Sequence, residues 1–175
     1  MPKFPLLLLD AGIVIGMHEL GIWDKFIESC SVTLTSTVAR DEVVYWEDDK
    51  GEKHYIDIHP DIDSGRIQCV DVTLSTIKAF LEQFDPSYLE KLDDGEAESL
   101  AFLYYDEKDW LISSSDGIVF KVLGRLGRAE KGISLEEILQ QVGLSHSLHC
   151  KYTRSFRERY TRLGQQDSIT GRGLK

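Results

Sequence analysis

"LLLLDAG", residues 6–12, places four consecutive leucines directly before Asp10 and a glycine two positions after it. The leucines predict a buried strand, and the carboxylate that ends it is expected at a polar edge, because burying an unpaired charge is costly. In a parallel α/β sheet, ligands bind at the carboxyl ends of the strands. Asp10 is equally suited to capping a helix that begins at Ala11. The stretch therefore predicts the strand and leaves both roles of Asp10 open.

Composition restricts the class of protein. The chain has 175 residues, 42% of them hydrophobic, which is enough for one domain with its own core. Its longest apolar runs, 4–16 and 111–124, are interrupted by charged or polar residues and fall short of the roughly 20 residues that span a bilayer. Asp10 also interrupts the one candidate secretory signal, so we expect a cytoplasmic protein without a membrane span. Three widely spaced cysteines predict free thiols rather than disulfides or a zinc site.

Charge is unevenly distributed along the chain. The net charge of −10 argues against a surface that coats nucleic acid indiscriminately. Residues 146–175 nevertheless carry seven Lys or Arg against two acidic residues, and a second basic stretch covers 121–131. A polyanion or an acidic partner would explain this asymmetry, and a solvated helix face explains it equally well. The candidate nucleic-acid-binding residues are Lys121, Arg125, Arg128, Arg154 and Arg157.

Strand-like and helix-like patterns alternate along the chain. This order predicts an α/β fold with three layers, α/β/α, around a central parallel sheet. The predicted strands are 5–10, 31–36 and 109–116, and the predicted helices are 21–30, 36–46, 74–84, 92–108, 117–127, 134–143 and 150–164. Asp93 or Asp94 could cap the helix at 92–108, and Ser134 with Glu137 predicts a capping box at the start of the helix at 134–143.

Two parts of the chain stand apart from this alternation. Alternating patterns at 54–58 and 66–72, separated by "HPDIDSG", predict a two-stranded ribbon, which we interpret as an insertion at about 47–73. The domain is then 1–145, followed by a region at 146–175 that holds a basic helix and a frayed tail from Gln165.

Four acidic residues occupy comparable places in these elements. Asp10 and Asp116 follow strands, Glu42 lies in the helix after the second strand, and Glu96 lies at the start of a helix. Such positions share one rim of a parallel sheet, so distant residues can meet there. Clustered carboxylates repel one another unless a cation joins them, and all-oxygen ligation favours Mg²⁺ or Mn²⁺ over Zn²⁺. The pattern therefore predicts a divalent-metal site.

The order of these motifs resembles the PIN-domain ribonuclease family over about residues 5–145. The matching segments are "LLLLDAG" with Asp10, "TSTVARDEV" with Glu42, "LDDGEAESLA" with Glu96 and "LISSSDGIVFKVLGRLG" with Asp116. The third motif, with its Gly-Glu-Ala-Glu context, is similar to that of a prokaryotic, toxin-like branch of the family. Gly12 departs from the pattern, since many members have Ser, Thr or Asn there.

The resemblance implies a PIN-like fold and a metal-dependent endoribonuclease. Carried over, Asp10, Glu42, Glu96 and Asp116 would be catalytic and would hold Mg²⁺ or Mn²⁺, with Ser114 supporting them by orienting a carboxylate or by binding a water or phosphate. The substrate would be RNA. Many members are the toxin of a toxin–antitoxin pair and associate through helical faces, so an antitoxin protein and a homodimer are further expectations.

Other interpretations remain open at this stage. Asp41 is the rival of Glu42, and Glu98 is the rival of Glu96, although the helical register is expected to turn Glu98 outward. Each acid could also merely cap its own helix. A catalytically inactive PIN-fold module that binds nucleic acid or a protein is the alternative function, and a small-molecule phosphatase is a third. The acids and histidines of "HYIDIHPDID" are interpreted as solvated charge, because a ribbon would divide them between its two faces.

Overall fold

Six strands and eight α-helices make up the part of the chain that the structure describes. This computed structural model describes residues 2–175. The strands are β1 (Phe4–Leu9), β2 (Cys30–Thr35), β3 (Tyr45–Glu47), β4 (Lys53–Tyr55), β5 (Gln68–Val70) and β6 (Leu111–Ser113). The helices are α1 (Ala11–Glu19), α2 (Trp23–Ser29), α3 (His59–Asp63), α4 (Leu74–Leu81), α5 (Asp94–Tyr105), α6 (Gly117–Arg125), α7 (Leu135–Gln141) and α8 (Arg154–Ile169).

The central sheet is parallel and has the strand order β5-β2-β1-β6. The leucine run forms β1, one of the two inner strands, where Leu8 pairs with Thr33 on one side and with Ile112 on the other. Leu7 and Leu9 face one side of the sheet and Leu8 faces the other, and none of the three is accessible to solvent. A strand covered on both faces needs such a continuous apolar sequence.

Helices pack on both faces of this sheet. The core on the Leu7 and Leu9 side contains the buried residues of α1, α2 and α7. The core on the Leu8 side contains those of α4, α5 and α6. The prediction of an α/β fold with a central parallel sheet is confirmed.

The carboxyl ends of β1 and β6 lie side by side at one edge of the sheet. These strands are neighbours, yet α1 leaves β1 toward one face and α6 leaves β6 toward the other. The backbone N–H of Asp10 donates to the carbonyl oxygen of Ser113 at 3.0 Å, which continues the strand pairing to this edge. Neighbouring strands whose connections diverge in this way leave a crevice between them, and such crevices bind ligands in open α/β sheets.

The predicted ribbon was wrong in its pairing. β4 pairs antiparallel with β3, whereas β5 joins the main sheet beside β2, with Leu34 opposite Cys69. The segment "HPDID" between β4 and β5 forms α3 instead of a hairpin turn. Alternation specifies which face a residue occupies but not which strand it pairs with, so the pattern at 66–72 suited both arrangements.

The predicted helix at 36–46 is much shorter in the structure. A π-helical turn covers Val38–Glu42 and closes when the N–H of Val43 donates to the carbonyl oxygen of Val38 at 3.1 Å. The chain then becomes β3, as β-branched and aromatic residues at 43–46 favour extended structure. The helix therefore ends at Glu42, which places this side chain at the end of the turn.

The C-terminal tail is ordered, so the prediction of fraying was wrong. Helix α8 continues past Gly164, because this glycine gives α8 close contact with the α6 backbone, where a Cβ would collide with the Lys121 carbonyl oxygen. The end of the chain then returns to the body of the protein: Asp85 donates to the Gly173 carbonyl at 2.8 Å, and Lys175 donates to that of Gln83 at 3.0 Å. Backbone pairing of this kind needs no apolar side chains and leaves no hydrophobic pattern.

Several local predictions are confirmed. Asp93 caps α5 in a capping box with Glu96, and Ser134 caps α7 in the same way with Glu137. Among residues 2–175, no helix combines the length and the apolar character needed to cross a membrane.

Candidate functional site

Asp10 lies at the start of the crevice and is 5% exposed. Its Oδ1 accepts a hydrogen bond from the Ala11 N–H at 2.7 Å, and its Oδ2 accepts one from the Ser114 hydroxyl at 2.8 Å. Burial, together with the charges of Asp93 and Asp116, raises the pKa of Asp10 to about 6, against the lowering effect of the hydrogen bonds from Ser114 and Ala11. Asp10 thus caps α1 and also faces other acids, so the two roles considered from sequence coexist.

Ser114 connects the two strand-end aspartates. Its hydroxyl donates to Asp10 and accepts the backbone N–H of Asp116 at 2.9 Å. Asp116 in turn caps α6 by accepting from the Ile118 N–H at 3.1 Å, and its side chain remains exposed. The serine therefore holds one Asp10 oxygen in place and fixes the turn that presents Asp116.

Glu96 is the most deeply buried of the four predicted acids, at 2% exposure. In the capping box its Oε2 accepts the Asp93 N–H at 3.2 Å, while its own N–H donates to the Asp93 carboxylate at 2.8 Å. Burial, together with the charges of Asp10, Asp93 and Asp116, raises the pKa of Glu96 to about 9. Glu96 is therefore protonated at neutral pH when no cation is bound.

Glu42 reaches the same place from the end of the π-helical turn. Its Oε1 accepts the Gly95 N–H at 3.0 Å, whereas its Oε2 is buried and has no hydrogen-bond partner. Burial raises the pKa of Glu42 to about 7, and Asp93 and Asp10 add to the shift. The rival residue Asp41 is exposed and contributes to none of these shifts. A Cβ on Gly95 would collide with the Glu42 carboxylate, so the glycine of "DDGEAE" is what admits Glu42.

Asp93 is a fifth acid of the site, which the sequence interpretation treated only as a helix cap. Its charge raises the pKa of Asp10, of Glu42 and of Glu96. The sequence does contain a pattern that indicates this position. In a capping box, the cap three positions before Glu96 has to lie at the same end of α5.

Electrostatic coupling therefore joins residues that are far apart in sequence. We call Asp10, Glu42, Asp93, Glu96 and Asp116 the acid cluster. Within residues 2–175, no Lys, Arg or His nitrogen lies within 4.0 Å of a carboxylate oxygen of this cluster. The carboxylates nonetheless remain spread, since no three of them bring oxygens within 4.8 Å of one another.

No protein-family model, curated protein or solved structure matches this chain. The candidate site therefore depends on the residues themselves.

The prediction that Glu98 turns outward was wrong, because this residue is buried at 2% exposure. It accepts hydrogen bonds from the Ser36 hydroxyl at 3.0 Å and from the backbone N–H groups of Thr37 at 2.9 Å and Val72 at 3.4 Å. Residues 95–101 of α5 are all buried, since this half of the helix contacts α4, β2 and the π-helical turn. From Gly95 to Ala101 the helix therefore has no exposed residue, and the outward direction predicted for Glu98 does not exist there.

Gly12, the departure from the family pattern, has a local cause. A Cβ at this position would collide with the hydroxyl of Ser115. The space that a Ser, Thr or Asn side chain would need is thus already occupied by a hydroxyl from the other strand end.

A second group of metal-type ligands lies on the β3–β4 ribbon. Asp48, Glu52 and His54 bring three ligand atoms within 4.8 Å of one another, and the His54 ring nitrogen lies 3.1 Å from Asp48. The Asp48 carboxylate also accepts two backbone N–H groups of its own turn, which explains this grouping without an ion. Of the other residues of "HYIDIHPDID", Asp61 is buried and accepts from the Trp23 indole at 2.9 Å and from Arg66 at 2.7 Å, so it is not solvated charge.

The predicted nucleic-acid-binding residues are largely engaged within the chain. Arg157 forms a two-bond ion pair with Glu137, at 2.7 Å for each bond, and Arg154 pairs with Glu158 at 2.7 Å. The remaining three also have partners: Arg128 donates to the Tyr104 carbonyl, Arg125 to the Arg172 carbonyl, and Lys121 lies 3.4 Å from Asp167. Arg157 therefore ties α8 to α7, and the backbone N–H of Arg154 does the same by donating to the Glu136 carboxylate at 2.7 Å.

Proposed function

We propose that this protein is a divalent-metal-dependent endoribonuclease with a PIN-like, three-layer fold. The observation that carries the proposal is a cluster of five mutually repelling carboxyl groups at the diverging ends of β1 and β6, with no cationic nitrogen of residues 2–175 within 4.0 Å of their oxygens. Capping accounts for Asp10, Glu96 and Asp116 one at a time. It does not account for their convergence, nor for the unpartnered Glu42 oxygen.

The donor set fits a hard divalent cation. It consists of carboxylate oxygens alone, as Mg²⁺ and Mn²⁺ prefer, and the Glu42 Oε2 is buried without a donor. Asp10, Glu42, Glu96 and Asp116 would hold the ion or ions, and Asp93 would add negative charge. Because the free carboxylates are spread, loading requires them to approach one another and Glu96 to lose its proton.

The residues around the acid cluster then have defined tasks. When bound, the metal supplies a water nucleophile at neutral pH and stabilises charge on the leaving oxygen of the phosphodiester. Ser114 and the Ala11 N–H hold the Asp10 carboxylate in one orientation, and the Asp93 capping box does the same for Glu96. Gly95 leaves room for the Glu42 carboxylate. These contacts fix the orientation of Asp10 and Glu96 individually, as the surroundings of a metal site do for its ligands.

Cleavage of a labelled single-stranded RNA tests the proposal. We expect cleavage with Mn²⁺ or Mg²⁺ and none with EDTA, and the products should lack 2′,3′-cyclic phosphates, because water and not the ribose hydroxyl attacks. Asp10→Asn and Asp116→Asn should be inactive, and Asp48→Asn should retain activity as the matched control from the ribbon. RNA binding that EDTA leaves unchanged, without cleavage of any RNA, would instead support the inactive binding module.

The toxin role forms part of the same proposal. Expression of the wild-type chain in a bacterial host should arrest growth, and expression of Asp10→Asn should not. A small neighbouring gene for a DNA-binding protein that relieves the arrest would identify the antitoxin. Equal growth with both chains would contradict the toxin role while leaving the nuclease proposal standing.

A further inference from the structure

A small pocket borders the acid cluster on the α6 side. It has a volume of about 280 Å³, and Asp116 forms part of its wall. The other lining residues are Ser87, Tyr88, Glu90, Lys91, Ile118, Lys121, Tyr160 and Leu163. Two lysines, two tyrosines and an acid of the candidate site therefore face one recess.

The chain ties this pocket to the candidate site at two points. Lys91 lies two residues before Asp93, and Lys121 lies on α6, the helix that Asp116 caps. Helix α8 supplies the opposite wall with Tyr160, whose ring packs so closely on Gly117 that a Cβ there would collide with it. Gly117 thus permits an aromatic side chain directly beside Asp116.

The two lysines differ in whether other groups of the protein already compensate their charge. Lys121 lies 3.4 Å from Asp167 and 4.6 Å from the centre of the Tyr88 ring, so its ammonium group is shared. Lys91 is exposed, and no carboxylate of residues 2–175 lies within 4.0 Å of its ammonium nitrogen. The sequence interpretation did not select Lys91, because it stands alone between acidic residues.

We propose that this pocket binds a phosphate next to the scissile one in single-stranded RNA, with Lys91 and Lys121 as its cationic ligands. The inference rests on the proposed function, since it assigns a subsite of the same substrate. Lysine ammonium groups bind phosphate as point charges. The Tyr160 ring offers the adjoining nucleotide a stacking surface of the kind that single-stranded binding sites use.

Binding of a fluorescein-labelled octauridylate in EDTA, followed by anisotropy, tests this pocket separately from catalysis. Lys91→Ala should weaken binding about five- to tenfold and lower the slope of log K against log salt by about 0.7, the value for one phosphate contact on a single strand. Glu90→Gln should strengthen binding, because it removes a negative charge from the same wall. Lys50→Ala, an exposed lysine on the distant ribbon turn, is the matched control and should change neither quantity.

The outcomes separate the two proposals. Loss of affinity in Lys91→Ala without any metal-dependent cleavage by the wild type would leave the pocket standing and overturn the nuclease. Cleavage by the wild type with unchanged affinity, salt slope and KM in Lys91→Ala would overturn the pocket and leave the nuclease standing. Equal losses in Lys91→Ala and Lys50→Ala would also overturn the pocket, because they would reflect net charge alone.

Discussion

Glu96 and Glu98 are two positions apart on α5, equally buried, and in opposite environments. Glu98 accepts three hydrogen bonds from Ser36, Thr37 and Val72. Glu96 accepts one, from the Asp93 N–H, and faces the charges of Asp10, Asp93 and Asp116. Burial of a carboxyl group therefore does not by itself indicate a candidate site. The feature that distinguishes Glu96 is that its neighbours are acids, which repel its charge.

The same contrast separates two buried aspartates. Asp61 receives the Trp23 indole and the Arg66 guanidinium, so its charge is compensated within the chain. Asp10 receives a hydroxyl and one backbone N–H, and its other neighbours are acids. The fold thus compensates the charge of Asp61, whereas under the proposed function a bound cation would compensate that of Asp10.

The largest expected effect is on activity. Asp10→Asn and Glu96→Gln should each reduce RNA cleavage by more than about 100-fold, beyond the roughly 10- to 100-fold typical of residues that only orient a metal ligand. Glu98→Gln should keep activity within a few-fold once the folded fraction is taken into account. Rates measured at saturating Mn²⁺ check this, and similar losses in Glu96→Gln and Glu98→Gln would break the distinction between the two glutamates.

For stability the order of the two glutamates should be reversed: the change at Glu98 should be harmful and the change at Glu96 should not. Glu98→Ala leaves the Thr37 N–H and the Ser36 hydroxyl without their acceptor and should lower the free energy of unfolding by about 2–3 kcal/mol. Glu96→Gln removes a repelled acid and should raise the metal-free melting temperature at pH 8 by several degrees. Thermal unfolding in EDTA measures both, and destabilisation by both variants would contradict the comparison.

A smaller effect is expected at Ser114. Ser114→Ala removes the hydroxyl that holds Asp10 and accepts the Asp116 N–H, so cleavage should fall about tenfold while metal binding weakens. Ser115→Ala, one residue further along, is the control and should change cleavage little. Unchanged cleavage in Ser114→Ala would show that Asp10 is oriented without it.

The remaining expected effect is a pH dependence of stability. The folded pKa values of Asp10, Glu42 and Glu96 are about 6, 7 and 9, above the ordinary values of 3.8, 4.5 and 4.5. Between pH 4 and 9 the folded state therefore binds more protons than the unfolded state, and the free energy of unfolding falls as pH rises. The melting temperature in EDTA should therefore fall between pH 5 and pH 8, by more than about ten degrees if the three shifts act together. A rise over this range would contradict the raised pKa values.

Sequence patterns predicted the parts of this fold that local physics determines. The strand ending at Asp10, the cap at Asp93 and the capping box at Ser134 follow from apolar runs and short-range hydrogen bonds. Which strand pairs with which does not follow from such patterns, because the alternation at 66–72 suits a ribbon and a parallel sheet equally. The tail pairs with Gln83 and Asp85 through its backbone and adds only the single apolar side chain of Leu174, which is too little to form a sequence pattern.

The candidate site was predictable in part for similar reasons. Asp10 and Asp116 follow from their places after strands. Glu98 was misjudged because a helical register gives direction but does not tell what surrounds the helix, and here neighbours enclose it. Lys91 has no pattern around it, and only the fold brings it near Lys121.

Mn²⁺ binding measured by titration calorimetry at pH 7, in buffers of different ionisation enthalpy, tests the central claim most directly. The wild type and Glu98→Gln should bind Mn²⁺ saturably and release about one proton or more, because Glu96 must deprotonate to bind the ion. Asp10→Asn should not bind Mn²⁺. Glu96→Gln should bind it more weakly and release fewer protons. Absence of saturable binding by the wild type, or binding that all four chains share equally, would contradict the account.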